Sequence, residues 1–297
     1  MTRATLLTIT TPTGAREPGD PGFAVADFDA PQVRITDLSV TRGDGVFETV
    51  AVIGGHPQAL EPHLERLAHS AALLDLPAPA LDVWREAVRA GVADYLTRNG
   101  DAGAELFAKL IYSRGVEGAD RPSGWLFVDQ GEDFSQARLG IRVVTLDRGV
   151  RHDVAETSPW LLAGAKTLSY AVNRAAQREA VRRGADDVLF VSSDGYALEG
   201  PTSNVVILSD GVVRTPDTDN GILAGTTQAA VFDFFARRGL RTEFAPLTIG
   251  EVVAADSLWL VSSVRQAAPV THLDGREYPV DAALTAELNA YLLARTE

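Results

Sequence analysis

Between residues 188 and 214 the chain turns back on itself every few residues, and this stretch limits the fold more than any other. Short runs at 188–191, 196–199, 204–208 and 212–214 are broken by Ser193-Asp-Gly195, by the segment 200–203 and by Ser209-Asp-Gly211. Asp-Gly between apolar runs signals a hairpin turn, because glycine supplies the left-handed backbone such a turn needs. Strands joined this tightly pair antiparallel and leave no room for the helical crossover of a βαβ unit. Elsewhere strand runs outnumber strand–helix–strand alternations, so the expected class is α+β rather than a doubly wound parallel sheet.

The first half supplies the helices. Residues 61–76 carry Leu64, Leu67, Ala68, Ala71 and Leu74 on one stripe, and residues 81–99 carry Trp84, Val88, Val92 and Tyr95, with Gly100 as the stop. Strands are expected at the N-terminus, at 46–53 with a short return after Gly54-Gly55, at 105–113 and at 125–128. The polar stretch 129–138 has no apolar period and reads as a linker, which divides the chain into a small N-terminal domain, 1–128, and a larger C-terminal one, 139–297. In the latter, strands are expected at 139–146 and 258–262, and helices at 168–183, 227–238 and 281–295.

Several functions are excluded by what is missing. A net charge of −13 with no basic cluster does not suit nucleic acid. No apolar run of 18 residues occurs, so no membrane span is expected, and the N-terminus lacks the pattern of a signal peptide. There is no cysteine, and the five histidines are scattered without metal-ligand spacing, so no metal site is expected. No G-x-S-x-G elbow is present either. A cytoplasmic enzyme acting on a small molecule fits best.

Lysine usage narrows the field. Of 27 basic residues only Lys109 and Lys166 are lysines. Arginine cannot stand in where a neutral amine must react, because guanidinium keeps its proton. Lys166 lies in Trp160-Leu-Leu-Ala-Gly-Ala-Lys-Thr-Leu-Ser-Tyr170, an apolar and small-residue stretch that would lower its pKa and leave a nucleophilic amine able to form a Schiff base. A snorkelling lysine at a helix start is the alternative. Lys109 fits the polar face of a half-exposed strand and reads as structural. Gly225-Thr226-Thr227-Gln228 opens a helix whose free N–H groups and hydroxyls suit a phosphate, or simply cap the helix. Arg66, on the polar side of the 61–76 helix, could add charge to that phosphate or lie on the surface. Glu199 could face a protonated pyridine nitrogen or be an exposed turn residue.

The ordered set Arg42-Gly-Asp-Gly-Val-Phe-Glu48, His63-Leu-x-Arg-Leu67, Lys166, Glu199-Gly-x-x-Ser-Asn204 and Ile222-Leu-x-Gly-x-Thr227 resembles the class IV aminotransferases, the fold-type IV pyridoxal-phosphate enzymes. The resemblance implies a two-domain fold, pyridoxal 5'-phosphate as cofactor and a homodimer with each site completed by the neighbouring subunit. It implies Lys166 as the Schiff-base lysine and Glu199 as partner of the pyridine nitrogen. Arg66, Thr226, Thr227 and Ser263 would hold the phosphate, and Ser203 and Asn204 would line the ring. Within the family, Phe47-Glu-Thr49 and Ser113-Arg-Gly115 are most similar to aminodeoxychorismate lyases, which release pyruvate and p-aminobenzoate; a D-amino-acid or branched-chain transaminase is the alternative. A cofactor-binding protein without turnover is the reading from another class, and the Lys166/Glu199 pair argues against it. Thr49, Arg114 and Arg265 are the candidate contacts to a substrate bearing carboxylates.

Overall fold

Alternation of apolar and polar residues before position 131 produces one antiparallel sheet with its apolar side turned to two helices. The computed structural model describes residues 4–100 and 103–296. The strands here are β1 (Thr5–Ile9), β2 (Phe23–Ala26), β3 (Gly45–Ile53), β4 (His56–Pro57), β5 (Glu105–Ser113) and β6 (Ser123–Gln130), in the spatial order β2-β1-β6-β5-β3-β4. The short α1 (Leu38–Thr41) precedes β3, and α2 (Leu60–Leu73) and α3 (Leu81–Asn99) pack on the sheet. Val46, Val50 and Val52 of β3, Ala108 and Leu110 of β5, and Leu126 and Val128 of β6 are fully buried, whereas Thr49, Lys109 and Phe127 between them are half-buried. That is the period of two expected of strands with one covered face. Gly91 of α3 lets the helix come close: a Cβ there would lie 3.1–3.2 Å from Leu7, Leu126 and Val128.

Contacts divide the chain into two compact units, one formed by residues up to Glu132 together with Ala165–Tyr170, the other by Asp133–Gly164 and Ala171–Arg295. The segment Ala165–Tyr170 thus packs with the earlier part of the chain. The sequence predicts a helix beginning at 168; the helix begins instead at Ala171, because the preceding residues are held extended. Phe47 N–H donates to the Lys166 carbonyl at 3.0 Å and Leu168 N–H to the Gly45 carbonyl at 2.8 Å, with Thr167 bridging Val46. These bonds continue the ladder at the start of β3 and take the amides that a helix would otherwise use.

The second unit is built on a mixed sheet of eight strands: β7 (Ile141–Asp147), β8 (Asp187–Val191), β9 (Asn204–Ser209), β10 (Val212–Thr215), β11 (Arg241–Phe244), β12 (Ser257–Ser262), β13 (Gln266–Leu273) and β14 (Arg276–Glu277). The order is β11-β10-β9-β12-β13-β7-β8, with β14 beside β13. Pairings around β9 and β12 are antiparallel, and β13–β7, β7–β8 and β10–β11 are parallel. Its helices are α4 (Val154–Thr157), α5 (Ala171–Arg182), α6 (Thr226–Arg237), α7 (Ile249–Ala254) and α8 (Ala282–Leu293). Strand alternation feeds two cores. Val205, Ile207, Leu258 and Leu260 meet Val252 of α7, while Val206, Trp259 and Val261 join Phe234, Phe235, Leu288 and Leu292 of α6 and α8. The fold is α+β. Residues 196–199, expected as a strand, make only isolated bridges at Tyr196 and Ala197, since the chain must turn at Gly200.

Candidate active site

The first unit concentrates charge around the start of β3. Glu48 points to the helix-covered side of the sheet and is wholly buried. His63 and Arg66 lie three residues apart on α2, on the face that meets it. Arg66 donates from Nε to Glu48 Oε1 and from Nη2 to Oε2, both at 2.7 Å, a two-pronged grip on the carboxylate. His63 Nδ1 lies 2.7 Å from Oε2, and since an ionised carboxylate only accepts, that nitrogen carries the hydrogen. Burial alone would raise the Glu48 pKa; the Arg66 and His63 contacts outweigh it and hold the carboxyl ionised, far below its ordinary range. Burial pushes the His63 pKa down against the opposing pull of Glu48, with Arg66 and Lys166 adding to the depression. A neutral imidazole and a charged guanidinium therefore share one carboxylate.

Ser70, one turn beyond Arg66 and fully buried, accepts the Lys166 N–H at 3.1 Å. The backbone of Lys166 is thus fixed on one side by α2 and on the other by β3. Its Nζ stands 4.8 Å from the centre of the Phe47 ring. Lys109 reaches the same ring, its Nζ 5.1 Å from the centre. Thr49 is the direct partner of Lys109 across β3 and β5. Phe47, Thr49, Lys109 and Ile111 therefore occupy the sheet face opposite Glu48.

Arg114, at the end of β5, is engaged locally. It donates from Nε to Asp44 at 2.6 Å and from Nη2 to the Leu74 carbonyl at 2.7 Å, with a longer bond from Nη1 to the Asp75 carbonyl at 3.3 Å. This pairing pins the loop after β5 to the loop before β3.

The second unit brings together the other sequence-derived candidates. Glu199 Oε2 accepts the Leu223 N–H at 3.2 Å, and Asn204 Nδ2 donates to the Leu223 carbonyl at 2.7 Å, so both side chains are set by the backbone of one residue. Gly225 follows, and a Cβ there would lie 2.1 Å from Asn204 Oδ1. At Gly200 a Cβ would lie 2.3 Å from Ser203 Oγ. Thr226 and Thr227 open α6, and Thr226 Oγ1 lies 3.4 Å from Ser263 Oγ. The hydroxyls of Ser203 and Thr227 are buried without a hydrogen-bond partner among the described residues. Buried orphan hydroxyls are rare, and here one of them sits at a helix N-terminus whose N–H groups favour an anion. That donor set fits a phosphate. Arg265 is a different case: its Nη1 donates to the buried Asp187 carboxylate at 2.7 Å, and its side chain is 11% exposed.

Glu48 and His63 stand in the sequence motifs without an individual role, and Ser70 in none of them. A signal for Glu48 was present, because it stands among Val46, Val50 and Val52 on the apolar side of a strand, where a carboxylate requires a buried cation.

The family described as "Amino-transferase class IV" matches residues 45–273. A fold IV-transaminase from Curtobacterium pusillum has a structure that superposes with a TM-score of 0.97, at 78% identity over 99% of this chain and 98% of that one. A hypothetical aminotransferase from Mycobacterium tuberculosis, solved in its PLP-bound form, has a TM-score of 0.89 at 39% identity over 98% and 99% of the two chains. A bifunctional aminodeoxychorismate lyase / D-amino acid transaminase of Mycobacterium tuberculosis is 44% identical over 258 residues, 84% of this chain and 88% of that protein.

Proposed function

This chain belongs to the class IV aminotransferases and is a pyridoxal-phosphate enzyme, and from that premise we propose that it exchanges amino groups between an amino acid, of the D series, and a 2-keto acid. The observation that carries the reading is the placement of Lys166. Its backbone is fixed by β3 and Ser70, and its amine stands against Phe47. A base that must return to one carbon atom needs that kind of fixed origin.

In this reading Lys166 would carry the cofactor, and once the substrate's amine has displaced it, its free Nζ would take the proton from the substrate carbon bearing nitrogen. Bound pyridoxal phosphate supplies the electron sink for the pair left behind. Arg66, Thr226, Thr227 and Ser263 would hold the phosphate. Glu48 keeps Arg66 oriented, and the orphan hydroxyl of Thr227 gains its partner. Glu199 would pair with the ring nitrogen and keep it charged, and Ser203 and Asn204 would line the ring. Thr49 stands on the substrate's side. A cytoplasmic homodimer belongs to the same proposal; the exposed Ile35, Leu139 and Trp160 are apolar surface that a partner subunit would cover.

Similarity to the transaminase of Curtobacterium pusillum supports amino-group exchange as the first activity. A second reading, cleavage of aminodeoxychorismate to pyruvate and p-aminobenzoate, is favoured by Phe47-Glu-Thr49 and Ser113-Arg-Gly115 and by the bifunctional Mycobacterium tuberculosis relative. Both begin with the same proton removal by Lys166. One set of assays separates them. Borohydride treatment of the yellow holoenzyme is expected to fix the cofactor to the peptide containing Lys166. Turnover of D-alanine is expected to require a keto acid, whereas release of p-aminobenzoate would not. Labelling at Lys109, or no turnover of either substrate, would overturn the proposal.

A further inference from the structure

The short turn between β12 and β13 has a shape that its backbone would not adopt unaided. Gln266, which closes it, is fully buried and has a φ of 64°, a left-handed conformation that a side chain disfavours and that persists only where the surroundings impose it. Three successive carbonyls of the turn accept hydrogen bonds from side chains. The Ser263 carbonyl takes one from Gln266 Nε2 at 2.6 Å, that of Val264 one from Arg138 Nη2 at 3.3 Å, and that of Arg265 one from Arg138 Nε at 3.0 Å. Just beyond, Asn289 of α8 accepts the Ala267 N–H at 3.0 Å and donates to the Ala267 carbonyl at 2.8 Å. Gln266 belongs to the turn and Asn289 grips the strand after it, whereas Arg138 reaches the turn's carbonyls from 126 and 127 residues earlier in the chain.

Arg138 is itself held in place. Ser135 N–H donates to Asp133 at 2.8 Å and Arg138 N–H to the Phe134 carbonyl at 3.0 Å, which fixes the bend that carries it. Gly140 lets that bend lie against β13, since a Cβ there would lie 2.4 Å from Thr271 Cγ2. A planar guanidinium offers several donors in one plane and so reaches two successive carbonyls, where an ammonium is a single point charge. What the turn carries is Ser263, whose hydroxyl lies 3.4 Å from that of Thr226 at the start of α6. We propose that Arg138 is a positioning residue for the cofactor's phosphate: by holding the carbonyls of Val264 and Arg265 it keeps the turn in its strained form and the Ser263 hydroxyl beside the N-terminus of α6. The inference rests on the reading of Ser263 and that helix end as the phosphate site. Hydrogen bonds weaken steeply once distance or angle is lost, so a turn free to relax would carry the hydroxyl out of range.

The test compares the full-length protein with Arg138→Met, Arg138→Lys, Ser263→Ala and the double variant Arg138→Met/Ser263→Ala, each checked for folding by thermal melting; Arg138→Gln replaces the Met variant should that one not fold. Apo protein is titrated with pyridoxal phosphate, with pyridoxal, which lacks the phosphate, and with inorganic phosphate, each by calorimetry. Arg138→Met is expected to lose roughly tenfold in affinity for pyridoxal phosphate and for inorganic phosphate while keeping its affinity for pyridoxal. Arg138→Lys should recover part of that loss. The double variant should bind little worse than Ser263→Ala alone, because both changes act through one hydroxyl. Unchanged pyridoxal phosphate affinity in Arg138→Met overturns the proposal, as do equal losses for pyridoxal phosphate and pyridoxal, or fully additive losses in the double variant. Ser263→Ala separates this failure from failure of the site reading. Weaker binding there with Arg138→Met unaffected refutes Arg138 alone, whereas unchanged binding in Ser263→Ala refutes the phosphate role of Ser263 and the proposal with it.

Discussion

A carboxylate inside a sheet is tolerable only when its surroundings replace the water it has lost, and Glu48 shows how three side chains do so. Arg66 was marked out as a candidate only through its motif; by periodicity it falls on the polar side of α2 and reads as a surface residue. Its side chain is in fact 9% exposed, because Glu48 lies beneath it on a neighbouring strand. Such a contact between distant parts of the sequence has no local signature. Glu48→Gln leaves a buried guanidinium without its counter-charge, which is expected to cost about 3–5 kcal/mol of stability and to weaken pyridoxal-phosphate binding. Urea unfolding and a cofactor titration measure both, and a variant unaffected in either would remove Glu48 from the site. The pH dependence has a definite sign. The Glu48 pKa is depressed on folding from 4.5, so its contribution is complete above that pH and is lost as pH falls towards the folded value. His63 is depressed from 6.5, so acidification below that point already favours the unfolded chain, which takes up the proton that the folded chain refuses. Stability should therefore decline on acidification below 6.5 and more steeply below 4.5, and Glu48→Gln should lose the steeper part.

Among the elements, α2 and α3 were predicted within a few residues because each has a clear apolar stripe, and α3 has a stop at Gly100. β13 was not foreseen. Its sequence Gln-Ala-Ala-Pro-Val-Thr-His-Leu contains a proline and no alternation, since residues 266–270 are all buried. Continuous burial erases the period of two by which strands are recognised. β11, four residues long and paired in parallel, likewise gives little pattern. The start of α6 was readable from Gly225-Thr226-Thr227, but the reason for the glycine was not. It is the absent Cβ, which leaves space for the Asn204 amide. Gly225→Ala is expected to displace Asn204 from the Leu223 carbonyl, lower stability by about 1–3 kcal/mol and reduce cofactor affinity. Thermal melts of apo and holo protein would reveal this. Equal affinity in the variant would show that Asn204 does not line the cofactor.

At the scale of the molecule, the α+β class was visible in the pattern of strands and helices. The return of Ala165–Tyr170 to the earlier unit was not, because a six-residue segment without an apolar period carries no address. A fragment ending at Glu132 lacks the hydrogen bonds that Lys166 and Leu168 make with Phe47 and Gly45. That fragment is expected to melt lower than it does in the presence of a synthetic peptide spanning residues 163–172. A hundredfold excess of peptide over its dissociation constant would restore about 2.7 kcal/mol. No shift at saturating peptide would mean that the segment adds nothing to the unit. The same interleaving bears on how the chain is made. As synthesis proceeds from the N-terminus, the opening sheet can pair β1 to β6 while the segment bearing Lys166 is still unmade. Its last backbone partners become available only after some forty further residues have been added beyond β6. The amine on which the proposed chemistry depends is therefore also a late closure of the first-built unit, and a ribosome stalled before residue 165 would hold a nearly finished sheet with no reactive lysine.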